Sequence, residues 1–280
     1  MQVSLNTAVF LPQLERSKSQ LACLLAVDAW PIDNIEVRGE FFAPATKVRE
    51  LEQIAKLCQK NDWELYYSVP EELFLGDHFA PKLKPQLALA EKKKKNDWEL
   101  YYSVPEELFL GDHFAPKLKQ QLALAEKIGI KNLKYSFGHI DLLFSDSKLK
   151  QLHDLLANSP VNVTIENQPN VNGKLSAITQ DLAFDRTEKL PLGYTFDSGN
   201  WYWINEDPTK AFLALRDQIS VFHLKDIHAK QTVLLGKGDT DWQPMLKALK
   251  TDVPVFLEYG TADLDELAGQ VELVNRLLEN

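Results

Sequence analysis

Short β-type runs alternate with amphipathic helical stretches along the whole chain, and this rhythm restricts the fold more than any other feature. Strand candidates fall at residues 3–10, 34–39, 63–68, 98–103, 132–137, 161–166, 193–197, 220–224 and 254–258. Helical stretches at 45–60, 148–157, 208–216 and 264–278 lie between them. Strands that alternate with helices imply βαβ units and a parallel sheet. Spacings near 30 residues, kept up to the C-terminus, favour a closed (β/α)8 TIM barrel over an open sheet. No Pro/Gly/Ser-rich linker divides the 280 residues, so residues 1–280 are expected to form a single barrel domain.

Nine strand candidates are one too many for such a barrel, and the excess has a visible source. Residues 60–92 recur at 95–127 with 32 of 33 positions identical, the sole difference being Pro85 against Gln120. Solenoid repeats diverge, so near-identity marks a recent or deliberate tandem duplication of one βα unit. Strand number, tilt and shear are coupled in a barrel, whereas the entropy of closing a loop grows slowly with its length. Eight strands are therefore expected, with one copy in the barrel and the other extruded. Proline inside the helix at 80–92 costs about 3 kcal/mol. The second copy, with Gln120 at that position, is the favoured resident.

Composition narrows the partners. A hydrophobic fraction of 45% supports a sizeable core, and 25% charged residues argue against disorder. The net charge of −9 repels a phosphate backbone, so nucleic acid is not an expected partner. The basic run Lys92-Lys93-Lys94-Lys95 reads as a solvated helix end. Cys23 and Cys58 lack metal-ligand spacing and are read as buried, reduced thiols of a cytoplasmic protein. With no basic leader and no long apolar run, neither a signal peptide nor a membrane span is expected.

The chemistry gathers at strand ends. Glu166 closes the run Val163-Thr164-Ile165-Glu166, and Asp197 closes Tyr194-Thr195-Phe196-Asp197. His223 lies in Val221-Phe222-His223-Leu224, and Glu258 ends Val255-Phe256-Leu257-Glu258. Each follows the apolar core of its strand, which places it at the carboxyl face where barrel active sites form. A lone strand-end acid is usually a helix cap, and a lone histidine is usually a satisfied core residue. Four together on successive strands are different, because three carboxylates repel one another without a cation. The joint reading is one divalent metal ion held by Glu166, Asp197, His223 and Glu258. Oxygen and imidazole donors without thiolate suit Mn²⁺, Mg²⁺, Co²⁺ or Zn²⁺, with octahedral Mn²⁺ the first choice.

These residues, with Gly236-Lys237-Gly238-Asp239, resemble the xylose isomerase-like superfamily of metal-dependent sugar and sugar-phosphate isomerases and epimerases. The spacings of 31, 26 and 35 residues between the four ligands match that family's arrangement. A weaker match is Ile35-Glu36-Val37-Arg38. The resemblance implies proton transfer beside a carbonyl through an enediolate, with Glu166 and Glu258 serving as ligands and as an acid/base pair. Metal polarisation and two flanking carboxylates account for such chemistry physically. One position departs from the pattern: Asn200 stands where family members commonly carry a substrate-contacting histidine. Asparagine hydrogen-bonds but does not titrate near neutrality.

Further substrate contacts are expected from Asn200, Lys225, His139, His228 and Trp201. For Lys225 the plainer reading is a salt bridge to Asp226 or another nearby acid, and for Trp201 it is packing on neighbouring loops. Gly236-Lys237-Gly238 lacks the Walker frame and reads as a turn with room for an anion. The expected function is a metal-dependent sugar or sugar-phosphate isomerase or epimerase with a small-molecule partner. Dehydration of a cyclic polyol ketone and isomerisation of a hydroxy-keto acid are the enzymatic alternatives. A non-enzymatic alternative is a barrel whose duplication matters for folding or assembly, the exposed strand edge inviting a homodimer.

Overall fold

The computed structural model describes residues 1–17, 19–43, 45–68, 74–75, 78–79, 100–128, 130–141, 144–261 and 263–279. Nine parallel strands form one sheet: β1 (Ser4–Asn6), β2 (Asn34–Arg38), β3 (Glu64–Ser68), β4 (Leu100–Gly111), β5 (Ile130–Ile140), β6 (Asn162–Glu166), β7 (Leu192–Asp197), β8 (Ile219–Leu224) and β9 (Val255–Leu257). They follow one another in chain order, and β9 returns to pair with β1 through Ser4–Phe256 and Leu5–Leu257. The barrel architecture is thus as expected.

The strand count is not. Both copies of the repeat place a strand in the sheet, β3 from the first and β4 from the second. β3 pairs with β2 and β4 pairs with β5, and the two lie side by side at the seam. The expectation of eight strands with one copy's strand outside is therefore corrected to nine. Each copy finds a neighbour that satisfies one row of its backbone groups, which strongly favours pairing over exposure. The helix expected at 80–92 and its prolines lie outside the described residues.

The helices form for legible reasons. In Leu264–Leu278 the carboxylate of Asp263 accepts hydrogen bonds from the amides of Asp265 (2.8 Å) and Glu266 (3.4 Å), an N-cap. Leu267, Val271 and Val274 then recur on one buried face. Asn275, near its end, accepts from the Val3 amide and donates to the Pro31 carbonyl, both at 2.7 Å, and so ties the last helix to the first strand. Along β5, Leu133, Tyr135 and Phe137 are buried toward the surrounding helices, as the Tyr135 hydroxyl on Gln121 of helix Leu118–Ile128 shows. Asn132, Lys134 and Ser136 alternate with them on the barrel's inner face. Gly138, at φ +85°, sits where a Cβ would come within 2.0 Å of the Phe109 carbonyl oxygen, so β4 and β5 meet there by way of a glycine.

Helix Leu175–Glu188 buries two acids one turn apart, Asp181 and Asp185. Burial pushes Asp181 up to about 6 against the influence of His139, and Asp185 up to about 7 against Arg186. Both hold their protons more tightly folded than unfolded. Their contribution is complete below the ordinary carboxylate range and is lost as pH rises through about 6–7. Asp185→Asn is expected to raise the melting temperature at about pH 8 and to leave it nearly unchanged near pH 4. Thermal melts at the two pH values check this, and an equal shift at both would refute it.

Among the described residues no helix is long and apolar enough to cross a membrane. Cys23 and Cys58 are both buried and free, as expected.

Candidate metal centre

The strand ends bring the expected ligands together. Glu166 and Asp197 are the last residues of β6 and β7, His223 lies one residue before the end of β8, and Glu258 directly follows β9. Ligand atoms of Glu166, Asp197 and His223 all lie within 4.8 Å of one another. Glu258 reaches the same place: His223 Nδ1 is 2.9 Å from Glu258 Oε2 and 3.2 Å from Glu166 Oε1. One imidazole nitrogen therefore faces both glutamates.

Three half-buried cations surround this cluster. Lys134 of β5 lies 3.1 and 3.2 Å from the two Glu166 oxygens. Lys225 Nζ lies 2.8 Å from Asp197 Oδ2 and 3.4 Å from Glu258 Oε2. Arg38 donates to Glu258 Oε1 at 3.0 Å and holds Glu40 with its other edge. Glu36 lies 3.7 Å from His223 Nε2. Burial raises the Glu166 carboxyl, but Lys134 and then His223 outweigh it and hold the group down at about 2. Burial likewise opposes the Glu258 carboxylate, and Lys225, His223 and Arg38 together hold it well below the usual range. Both glutamates are thus ionised. Burial and Lys134 disfavour the His223 imidazolium, yet Glu258 and Glu166 raise it to about 9.

The residues fit a divalent cation. His223 Nδ1 and Glu258 Oε2 are both sealed from solvent, and neither has an aligned hydrogen-bond partner despite their short separation. Buried polar atoms left in this state are rare and call for a partner, and an ion among three carboxylates and an imidazole supplies one. Glu166, Asp197, His223 and Glu258 would hold it.

Backbone and neighbours fix the geometry. Asp197 Oδ1 accepts from the amides of Gly199 (2.8 Å) and Asn200 (3.1 Å), which opens helix Asn200–Trp203. Asn167 bridges β6 and β7, donating to the Asp197 carbonyl at 3.0 Å and accepting from the Asp197 amide at 2.8 Å. Gly199 leaves room for Lys225, whose Cδ would lie 2.9 Å from a Cβ there. Asp226 is fully buried, and its carboxylate accepts from the amides of Gly236, Gly238 and Thr240 at 2.8, 2.9 and 3.0 Å. The anion expected at the Gly236-Lys237-Gly238 turn is thus the protein's own. Asp226→Ala would orphan three amides at about 1–3 kcal/mol each when buried. Unfolding in urea is expected to show a loss of at least ~2 kcal/mol, and an unchanged midpoint would refute that role.

The remaining candidates divide. Lys225 points into the cluster and pairs with Asp197 and Glu258, not with Asp226. Asn200 sits at the site's edge, its side-chain amide donating to the Asn167 carbonyl at 2.9 Å. His139 is exposed at the end of β5 and acts electrostatically on Asp181. His228 is exposed on a hairpin, 3.3 Å from Asp239. Trp201 corrects an expectation: it is fully buried, 5.7 Å from Phe196 between ring centroids, and has no surface to offer a sugar. Trp203 is the exposed tryptophan of that turn. Lys134 was not among the residues expected at the site. Its signal is the polar inner face Asn132-Lys134-Ser136, where a lysine inside a barrel needs an acid.

Several solved structures are similar in fold. The probable 3-DHS dehydratase AsbF of Bacillus anthracis matches with a TM-score of 0.60 at 16% identity, over 98% of this chain and 98% of that one. A xylose isomerase domain containing protein of Salmonella typhimurium matches at 0.57 and 14% identity, over 100% and 97%. The D-allulose 3-epimerase of a Methylomonas species matches at 0.56 and 14%, over 99% and 98%. The fold is that of the xylose isomerase-like TIM barrels. No family model matches the sequence, and no curated protein matches it.

Proposed function

We propose that this chain is a divalent-metal-dependent isomerase or epimerase of a sugar or sugar phosphate, working by proton transfer next to a carbonyl. The observation that carries the proposal is the pair of strand-end glutamates, Glu166 and Glu258, facing one imidazole nitrogen at 3.2 and 2.9 Å. The similar barrel of a D-allulose 3-epimerase, also known in complex with D-allulose, supports it.

The ion, with Mn²⁺ the first choice, would polarise the substrate carbonyl and lower the acidity barrier at the neighbouring carbon. Glu166, Asp197, His223 and Glu258 would hold it. One of the two glutamates removes the proton, and the other returns one to the opposite face or to the adjacent carbon. Asp197 and His223 anchor. Lys134, Lys225 and Arg38 keep the glutamates ionised and aimed, and Lys225 and Asn200 lie where substrate oxygens can be met. The chain needs no membrane or nucleic acid for this chemistry.

A second reading is dehydration of a cyclic polyol ketone, which the similar barrel of a probable 3-DHS dehydratase supports. It starts with the same proton removal and differs by expelling water. Incubation of the Mn²⁺-loaded protein in D₂O with a panel of ketoses, ketose phosphates and cyclic polyol ketones tests both. Deuterium entering the carbon beside the carbonyl supports the proposal, water loss marks the second reading, and no exchange with any member rejects both.

A further inference from the structure

We propose that the two copies of the repeated unit are interchangeable in the barrel wall, so that either one can make the hydrogen-bonded ladders that the two now divide. β3 spends one edge on β2, and β4 spends the opposite edge on β5. Among the described residues the edges that face each other across the seam share no ladder. The residues involved are the same, since Leu65-Tyr66-Tyr67-Ser68 is repeated as Leu100-Tyr101-Tyr102-Ser103. A strand inside a parallel sheet presents amides and carbonyls to both sides. The structure thus shows one sequence making its left-hand ladder in one copy and its right-hand ladder in the other.

The two registers are compatible on a single strand. Val37 lies opposite Tyr67, and Tyr102 lies opposite Leu133. Arg38 lies opposite Ser68, and Ser103 lies opposite Lys134. One copy making both ladders would therefore set Arg38 and Lys134 level, on either side of one serine. These are the cations that hold Glu258 and Glu166, so exchanging copies preserves the layout of the site.

The anchors beyond the strand are also supplied twice. Glu107 accepts from the side-chain amides of Gln168 (2.6 Å), Asn172 (3.0 Å) and Asn170 (3.3 Å), which fixes the loop after Glu166. In the repeated sequence Glu72 corresponds to Glu107, and Gln86 corresponds to the Gln121 that receives the Tyr135 hydroxyl. A displaced copy becomes a longer connection, and closure entropy rises slowly with length.

Proline in a strand removes a ladder donor and blocks pairing. Ser68→Pro, whose amide faces β2, and Tyr102→Pro, whose amide faces β5, made singly and together in the full chain, test the proposal through melting temperature and hydrogen exchange at Ile35, Val37 and Lys134. Interchange predicts that each single variant melts within a few degrees of the parent and keeps all three amides protected. The double variant then loses that protection and melts far below the sum of the single shifts. A fixed division of labour predicts the opposite. Ser68→Pro alone would expose Ile35 and Val37, Tyr102→Pro alone would expose Lys134, and the shifts would add. That pattern, or unfolding of either single variant, overturns the proposal.

Discussion

Glu258→Gln is expected to slow exchange of the substrate's carbon-bound proton with solvent by about 10²–10⁴-fold, the usual contribution of a positioned acid or base. Glutamine keeps the shape and the hydrogen bond from Arg38 but cannot accept a proton. In the native chain the carboxylate is held ionised by Lys225, His223 and Arg38 despite its burial, and this is the state a base needs. The fold should persist, because the barrel around the site is built from apolar strand interiors such as Val255-Phe256-Leu257, all buried. Deuterium wash-in followed by NMR, beside a thermal melt, separates chemistry from folding. Exchange within tenfold of the parent, in a folded variant, would remove Glu258 from the chemistry.

Asp197→Ala is expected to have the largest structural effect of any single change at the site. It removes an ion pair with Lys225 that is almost wholly buried, and it removes the acceptor for two amides at the start of helix Asn200–Trp203. Breaking one partner of a buried pair costs about 3–5 kcal/mol, since the other charge is left without compensation. For a chain of this size that corresponds to a fall of roughly 10 °C in melting temperature. The second variant Lys225→Met, made in the same background, should recover part of the loss by removing the stranded ammonium. A double-mutant cycle in urea measures the coupling. Additive effects of the two substitutions would show that the 2.8 Å contact contributes nothing.

Most of the barrel was legible because its signals are local. Strand ends with a polar residue after an apolar run located Glu166, Asp197, His223 and Glu258, and the structure brings all four to one place. Helix Leu264–Leu278 was equally plain, its apolar stripe unbroken from Leu267 to Val274. Helix Leu175–Glu188 carries no such stripe, because Asp181 and Asp185 occupy buried positions within it. Burial of an acid is a tertiary outcome that periodicity does not encode.

The misses share that cause. Trp201 looked like a sugar platform by its position after Asp197, but Phe196 covers it from the core side. Lys134 was hidden because one lysine in a strand reads as surface until the partner strand delivers Glu166 beside it. The ninth strand went against the coupling of strand number and shear in a barrel. The gain in ladder hydrogen bonds for both copies outweighed the cost of readjusting the wall.

The proposed chemistry depends on four strand-end side chains holding one divalent ion. Calorimetric titration of metal-free protein with MnCl₂, for the parent and for His223→Ala, tests it most directly. The expected result is saturable binding of one ion per chain in the parent, weakened by more than about 100-fold in the variant, beyond what loss of a mere supporting contact produces. Absence of saturable binding in the parent, or equal affinity in the two proteins, would contradict it.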